Sequence, residues 1–343
     1  MSSVPLCFKM GVCMKALVTG GGGFLGGVIV RMLRERGDQV RSYSRGTYPE
    51  LEKLGVEQAQ GDLTDREALL KAAQGCDIIF HVAAKAGIWG GYDEFYQANV
   101  IGTENVLAAC RAHGIGKLVY TSSPSVVFDG TDVDGGDESL PYPVHFEAHY
   151  PRTKAEAEQL VLAANGAKLV TTALRPHLIW GPGDNHLVPR IIAKGKSGRL
   201  RRIGTRPCLV DTVYVDNAAR AHLQAAAKLA PGSTLAGKAY FISNGEPIAL
   251  WEMVNKILAA GGVAPVTKSV SPQAAYTIGS ICEKIWGWFR LPGEPPMTRF
   301  VAKELATAHW FDISAAKRDF GYQPEVTTEE GLQRLAVWLQ KSA

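Results

Sequence analysis

The chain has 343 residues, 46% of them hydrophobic and 20% charged, with a net charge of +4. Those proportions describe a globular protein able to bury a large core, as one large domain or two, and exclude a disordered, fibrous or strongly polyionic chain. The one basic run, GKSGRLRR at 195–202, reads as a solvated surface element and not as a nucleic-acid patch. It is no phosphate loop either, because Arg190 stands where that motif needs glycine.

Six cysteines (Cys7, Cys13, Cys76, Cys110, Cys208, Cys282) are far apart and without a CxxC pair, which suits reduced thiols in a cytoplasm and argues against a zinc site. No uninterrupted apolar run of about 18 residues predicts a membrane span. The opening MSSVPLCFKMGVC lacks a signal peptide's apolar core, so residues 1–13 read as an N-terminal extension ahead of Met14.

From Met14 onward short apolar strands alternate with amphipathic helices. KALVT (15–19) predicts a buried strand, followed by a glycine cluster and the helix GVIVRMLRERG. QVRSYS (39–44) and VEQAQGDL (56–63) read as strands, DREALLKAAQG as a helix and DIIFHVAA (77–84) as a strand. A long helix, YQANVIGTENVLAACRAHG, leads to the strand KLVYTSS (117–123); the helix YPRTKAEAEQLVLAAN (150–165) leads to KLVTTALRP (168–176). Gly37, Gly75 and Gly114 stand where left-handed helix caps are needed. This alternation predicts an α/β fold, a doubly wound parallel sheet. After about residue 180 the rhythm loosens, which predicts a smaller, partly helical C-terminal cap over the carboxyl ends of the strands. The expected division is a dinucleotide-binding domain over 14–180, to which 209–245 returns, with 181–208 and 246–343 forming mainly the substrate-binding cap.

TGGGGFLG (19–26) holds Gly20, Gly23 and Gly26 at the spacing GxxGxxG between a strand and a helix. A tight turn, close backbone approach to a pyrophosphate and helix amides aimed at its charge explain that pattern, with Phe24 and Leu25 opening the helix. The tip of the second strand carries Ser44 and Arg45 and no carboxylate. A guanidinium suits a 2′-phosphate, so NADP is the expected cofactor; the alternative is a plain surface arginine. Tyr150 and Lys154, in HYPRTK, are four apart and so share a helix face. Taken alone, that pair also fits an exposed amphipathic turn. A neighbouring cation and a helix amino end would both stabilise a phenolate. Pro151 fits the first helical position and biases Tyr150 out of helical geometry.

TGGGGFLG, GDL (61–63), HVAA (81–84), NVIGTENVL (99–107), YTSS (120–123) and YPRTK, in this order, resemble the extended short-chain dehydrogenase/reductase family, whose fold is Rossmann-like. LVYTSSPSVV, LRPHLIWGPGD (174–184) and DTVYVDNAARAH (211–222) are similar to its 3β-hydroxysteroid dehydrogenase branch. Within it, residues 84–126 are most similar to members that reduce 2-alkyl-3-oxoalkanoic acids in bacterial long-chain olefin biosynthesis. The resemblance implies Tyr150 as general acid/base, Lys154 as its activator and Ser123 as the hydroxyl that polarises the substrate oxygen, with Ser122 the alternative. It also assigns Asp62 and Leu63 to the adenine, Ala83, Ala84, Lys85 and Thr121 to the cofactor's path, Asn99 to the cofactor side of the site and Pro176 to the nicotinamide. Asn99 reads equally as a helix-start cap. His149, His177 and His186 lie near these motifs without metal-ligand spacing. The acidic loop DGTDVDGGDE (129–138) reads as solvated and not as a calcium loop.

The substrate class implied is a hydrophobic 3-oxo or 3-hydroxy acid. A homodimer and contact with other olefin-pathway enzymes follow from the same resemblance, and AAYTIGSICEKIWGWFRL (274–291) is consistent with a greasy substrate, a cap core helix, or rest on a membrane surface or partner. Three rivals stay open: an NAD-preferring 3β-hydroxysteroid or sterol-carboxylate dehydrogenase, a non-catalytic NADP-sensing protein, and, on fold alone, a sugar-nucleotide epimerase.

Overall fold

The computed structural model describes residues 14–342, so the extension expected over 1–13 lies outside them. Strands form where apolar runs can be buried on both faces. In Lys15–Thr19 the segment Ala16, Leu17 and Val18 has no exposed surface at all, as a central parallel strand requires. Seven strands make one parallel sheet, in the order Lys238–Ile242, Val170–Pro176, Lys117–Thr121, Ile78–His81, Lys15–Thr19, Gln39–Ser44, Glu57–Gln60. The order reverses direction between Lys15–Thr19 and Ile78–His81. In open parallel sheets that switch point opens a crevice at the carboxyl ends of the strands, where ligands bind.

Helices cover both faces. Phe24–Arg36 and Val215–Lys228 pack on one, burying Ile29, Leu33, Ala218 and Ala225. Arg66–Ala73, Gly102–His113 and His149–Ala163 pack on the other with Leu69, Val106, Leu107 and Val161. Gly37 and Gly114 take the left-handed conformation at helix ends, and Gly75 takes it just beyond one. The C-terminal part is largely helical, with Leu250–Ala260, Pro272–Phe289, Arg299–Glu304 and Thr328–Ser342. A second, four-stranded sheet joins it to residues Val133–Gly136.

Several elements differ from expectation. The third strand is only Glu57–Gln60, since Gly61 to Leu63 have already turned out of the sheet. A short helix, Pro49–Lys53, precedes it, its Pro49 at the first turn where no amide is needed. The long helix expected from Tyr96 is interrupted: Tyr92–Tyr96 is α-helical, Gln97–Ile101 is a π turn, and the α-helix resumes at Gly102. Such a bulge inserts one residue into the ladder and re-aims the side chains around it.

Candidate active site

The turn after the first strand is shaped by contacts that leave no room for side chains. Gly20 has φ +71°, and a Cβ there would stand 3.1 Å from Ala83, which leaves the neighbouring strand across the switch point. A Cβ on Gly26 would lie 2.1 Å from the Gly20 carbonyl oxygen, so helix and turn are in backbone contact. Gly23 caps the helix that begins at Phe24, with Leu25 buried beneath it. The result is a concave backbone surface at the amino end of a 13-residue helix, suited to a diphosphate.

Beneath it runs a buried chain of hydrogen bonds. Thr19 Oγ1 lies 2.8 Å from His81 Nδ1, His81 Nε2 lies 2.9 Å from Thr103 Oγ1, and Thr103 donates to the Asn99 carbonyl at 2.6 Å. Because Thr103 spends its proton on Asn99, His81 must donate from Nε2, and its Nδ1 accepts from Thr19. Burial holds His81 down at about 3, so the ring is neutral. Thr19 Oγ1 then accepts from the Val82 and Ala83 amides, 3.1 Å each, fixing the backbone that carries Ala84 and Lys85 out of the sheet.

At the second strand's tip, Ser44 is half-buried and Arg45 exposed. The Asp62 carboxylate accepts from the amide and hydroxyl of Thr64, which lowers its pKa; Arg45 lowers it further and weakly. Leu63 is buried against Gly102. Arg45 thus carries no carboxylate contact within 4 Å among the described residues, which leaves its guanidinium available.

Tyr150 and Lys154 do lie on one helix, but that helix starts at His149, with Ala148 as its cap. The expectation that Pro151 holds Tyr150 outside the helix is therefore corrected. Proline sits at the third helical residue, where amides have no intrahelical partner, so it is tolerated without setting the start. The expected electrostatics are also corrected. The Lys154 ammonium donates to the Thr121 carbonyl at 2.6 Å and lies 4.1 Å from the Tyr120 ring centre. Burial drags its pKa to about 7, which the nearby Glu158 partly opposes. The Tyr150 phenol is raised, chiefly by desolvation; the facing Ser123 hydroxyl lowers it and Glu304 raises it. Desolvation is the largest influence on the phenol.

Ser123 caps the short 3-10 helix Pro124–Val127, accepting from the Ser125 amide at 3.2 Å and lying 2.9 Å from its hydroxyl. Ser122 is instead buried, with its hydroxyl unpartnered among the described residues. It is Ser123, not Ser122, whose hydroxyl lowers the Tyr150 phenol. The Thr121 hydroxyl is turned into the core against His222 Nε2 at 2.8 Å, so only its carbonyl reaches the site.

Asn99 lies in the π turn and caps no helix start. Its side chain accepts from the Lys85 amide at 2.7 Å and donates to the Lys85 carbonyl and to Thr153 Oγ1, 3.1 Å each. It clamps the loop after His81 to the tyrosine helix. Lys85 itself pairs with Glu94 at 2.7 Å at the surface. Pro176 is buried at a strand end, and Leu178, two residues on, adopts φ +42°, a strained conformation for leucine.

Two groups carry no local sequence signal. Glu158, one turn beyond Lys154, forms a buried pair with Arg175, whose Nη2 lies 2.6 Å and Nε 3.0 Å from the carboxylate. Glu304, some 150 residues away on a cap helix, raises the Tyr150 phenol through its charge, and burial pushes its carboxyl up to about 8. His177 lies 2.5 Å from Asp211 and 3.2 Å from His309; His149 and His186 are exposed. In the acidic loop, Asp129, Asp132, Asp134 and Asp137 each accept a hydrogen bond from their own partner, and no metal-holding cluster exists among the described residues.

With that geometry in view, the sequence profile of the 3-beta hydroxysteroid dehydrogenase/isomerase family matches residues 17–270. The chain belongs to this family. Oxidoreductase chemistry at a CH–OH group comes with membership. A 2-alkyl-3-oxoalkanoate reductase of Stenotrophomonas maltophilia (strain K279a) is 58% identical over 324 residues, covering 94% of this chain and 98% of the relative. A protein of the same name from Shewanella oneidensis is 51% identical over 332 residues, covering 94% and 86%. Among solved structures, MoeE5 in complex with UDP-glucose and NAD superposes with a TM-score of 0.74 at 25% identity, covering 96% of this chain and 99% of that one.

Proposed function

We propose that the chain interconverts a 2-alkyl-3-oxoalkanoic acid and the 2-alkyl-3-hydroxyalkanoic acid, with NADP(H), in long-chain olefin biosynthesis. Supporting this reading is one conjunction: the Ser123 hydroxyl lowers the Tyr150 phenol, and the first strand ends in a glycine turn in backbone contact with its helix, in a chain 58% identical to a reductase of that name. Bound NADP(H) supplies or accepts the hydride at C3. Gly20, Gly23, Phe24, Leu25 and Gly26 would hold its diphosphate, Ser44 and Arg45 its 2′-phosphate, Asp62 and Leu63 its adenine, and Ala83, Ala84, Lys85, Asn99, Thr121, Lys154 and Pro176 the stretch toward the nicotinamide.

The chain's own residues then handle the proton. Ser123 holds the substrate oxygen, and Tyr150 gives it a proton in reduction and removes one in oxidation. A phenol held above its ordinary pKa is mostly protonated, which favours the donating role. Lys154, with a pKa of about 7, loses its charge just above neutrality. The proposal includes a cytoplasmic homodimer and caps formed by 181–208 and 246–343.

Because 3-oxo acids lose carbon dioxide readily, the oxidation direction gives the cleaner test. Purified protein with a synthetic 2-alkyl-3-hydroxyalkanoic acid should reduce NADP⁺ and turn over a sterol poorly; the reverse preference would overturn the assignment. A 37% identical 3 beta-hydroxysteroid dehydrogenase/Delta 5-->4-isomerase of Mycobacterium tuberculosis makes the sterol the right comparison. Arg45→Glu should raise the KM for NADP⁺ roughly tenfold to a hundredfold, the worth of one charge-assisted hydrogen bond, with kcat on NAD⁺ little changed.

Glu304 makes a pH prediction. Its carboxyl, ordinarily near 4.5, titrates at about 8 in the fold, so ionisation costs stability progressively as pH climbs from 4.5 through 8. Above that range its charge opposes loss of the Tyr150 proton. Glu304→Gln should therefore move the rise of the oxidation pH–rate profile to lower pH by about one unit.

A further inference from the structure

Glu304 ends the short helix Arg299–Glu304 and is half-buried, as Ser123 and Tyr150 are. Its backbone is held from two directions. His309 Nε2 donates to the Glu304 carbonyl at 3.0 Å, and His309 Nδ1 lies 3.2 Å from Nε2 of His177, the residue after the sheet strand Val170–Pro176. Earlier on the helix, Phe300 packs edge to face on Phe128, ring centres 5.8 Å apart, just past the 3-10 helix that Ser123 caps. The carboxyl itself makes no hydrogen bond or ion pair among the described residues, yet its charge acts on the Tyr150 phenol. A carboxyl withdrawn from bulk water and offered no donor keeps its proton, and burial holds this one at about 8. At neutral pH it is an O–H donor with nothing to donate to.

The lysines and arginines of the two helices are committed elsewhere. On the tyrosine helix Arg152 pairs with Glu156 at 3.0 Å, and Lys154 donates to the Thr121 carbonyl. Beside Glu304, Arg299 pairs with Glu283 at 2.6 Å and Lys303 with Glu147. An anion arriving near Tyr150 therefore meets no unpaired cation on either helix. It does meet a carboxylic acid, and an acid and a carboxylate share one proton in a short O–H···O⁻ bond of about 2.5–2.7 Å.

We propose that Glu304 is the subsite for the substrate's own carboxylate, and so selects 3-oxo and 3-hydroxy acids over uncharged alcohols. The inference rests on the substrate reading above. With the C3 oxygen at Ser123 and Tyr150, the carboxylate carbon is two bonds from C3 and is carried close to the phenol, where the charge of Glu304 acts. A sterol without a carboxyl group would leave the O–H unsatisfied, in line with the poor turnover expected of it. Two carboxylates side by side resist both being ionised, so the bound pair holds its proton more tightly than Glu304 alone. Binding above pH 8 or so then draws a proton from solution, and affinity falls as pH rises. The other titratable groups around Glu304 are Tyr150, held above its ordinary value, and His309, kept down at about 4 by burial. Lys154, at about 7, is the one rival for that proton.

The test uses the full chain loaded with NADPH, which cannot reduce a 3-hydroxy compound. A 2-alkyl-3-hydroxyalkanoic acid and its methyl ester then form complexes that do not turn over. Calorimetric titration in buffers of different ionisation enthalpy reads affinity and proton uptake together. Near neutral pH the wild type should bind the acid roughly tenfold to a hundredfold more tightly than the ester, the range for one charge-assisted hydrogen bond. At about pH 9 it should take up close to one proton per acid bound. Glu304→Ala should bring the acid down to the ester's affinity and leave the ester's unchanged. Glu304→Gln, whose amide still donates, should keep most of the acid's advantage and lose the proton uptake, which removes Lys154 as its source. Glu304→Ala weakening acid and ester alike, or uptake persisting in Glu304→Gln, would overturn the subsite and leave the hydride chemistry standing. A wild type that binds neither compound yet reduces NADP⁺ with a sterol would instead remove the substrate reading, and this inference with it.

Discussion

Replacing Tyr150 with phenylalanine is expected to lower kcat by about 10²–10⁴-fold, the range for a positioned general acid, with cofactor affinity and melting temperature nearly unchanged. The structure isolates the phenolic oxygen as the only thing removed. The ring remains in place on the helix, Thr153 still donates to the Tyr150 carbonyl, and no fold-stabilising hydrogen bond depends on the hydroxyl. Single-turnover kinetics with bound cofactor would separate the loss of proton transfer from any change in binding. Ser123→Ala should lose less, because Tyr150 retains its proton and only the second contact to the substrate oxygen disappears. A Tyr150→Phe protein with full turnover would remove Tyr150 from the mechanism.

The largest stability effect is expected at Arg175. Methionine there leaves the Glu158 carboxylate fully buried with, among the described residues, only the Tyr142 hydroxyl donating to it, at 2.6 Å. Stranding one member of a buried ion pair costs about 3–5 kcal/mol. With roughly 2.1 cal/mol/K of unfolding entropy per residue, that lowers the melting temperature by about 4–7 °C. The effect reaches the site, because Glu158 lies one turn from Lys154 and holds up its pKa, while Arg175 adjoins Pro176. Converting both partners, R175M/E158L, should recover most of the stability, since no buried charge is then stranded and only the half-buried Tyr142 hydroxyl loses its acceptor. Thermal unfolding of the two variants checks this: equal losses would mean that packing, and not charge, dominates the position.

What the sequence disclosed follows from the range of the forces involved. The sheet was legible because central parallel strands need continuous apolar runs, and Ala16–Val18 or Ile78–Phe80 admit little else. The glycine cradle was legible because backbone contact at Gly26 excludes every side chain. Tyr150 and Lys154 were legible as sharing a helix face from their spacing, and as a pair with a role only from the motifs around them. Their electrostatics were not. The Lys154 ammonium turns to a strand carbonyl, and the phenol is governed first by desolvation, then by Ser123, which lowers it, and by Glu304 from far along the chain, which raises it. The π turn that aims Asn99 at Lys85 has no local signature either, since QANVI would fit an unbroken helix equally well.

The seventh strand has a consequence for synthesis. Lys238–Ile242 pairs along Thr172 to Pro176, and every residue of Val170–Pro176 is buried beneath it and its neighbours. A nascent chain that has cleared the ribosome only to about residue 230 therefore presents an open, apolar strand margin. Every residue proposed for proton transfer has emerged by then, yet the sheet closes only once Ile242 has emerged as well. Until that moment the unfinished margin is the segment most in need of a chaperone.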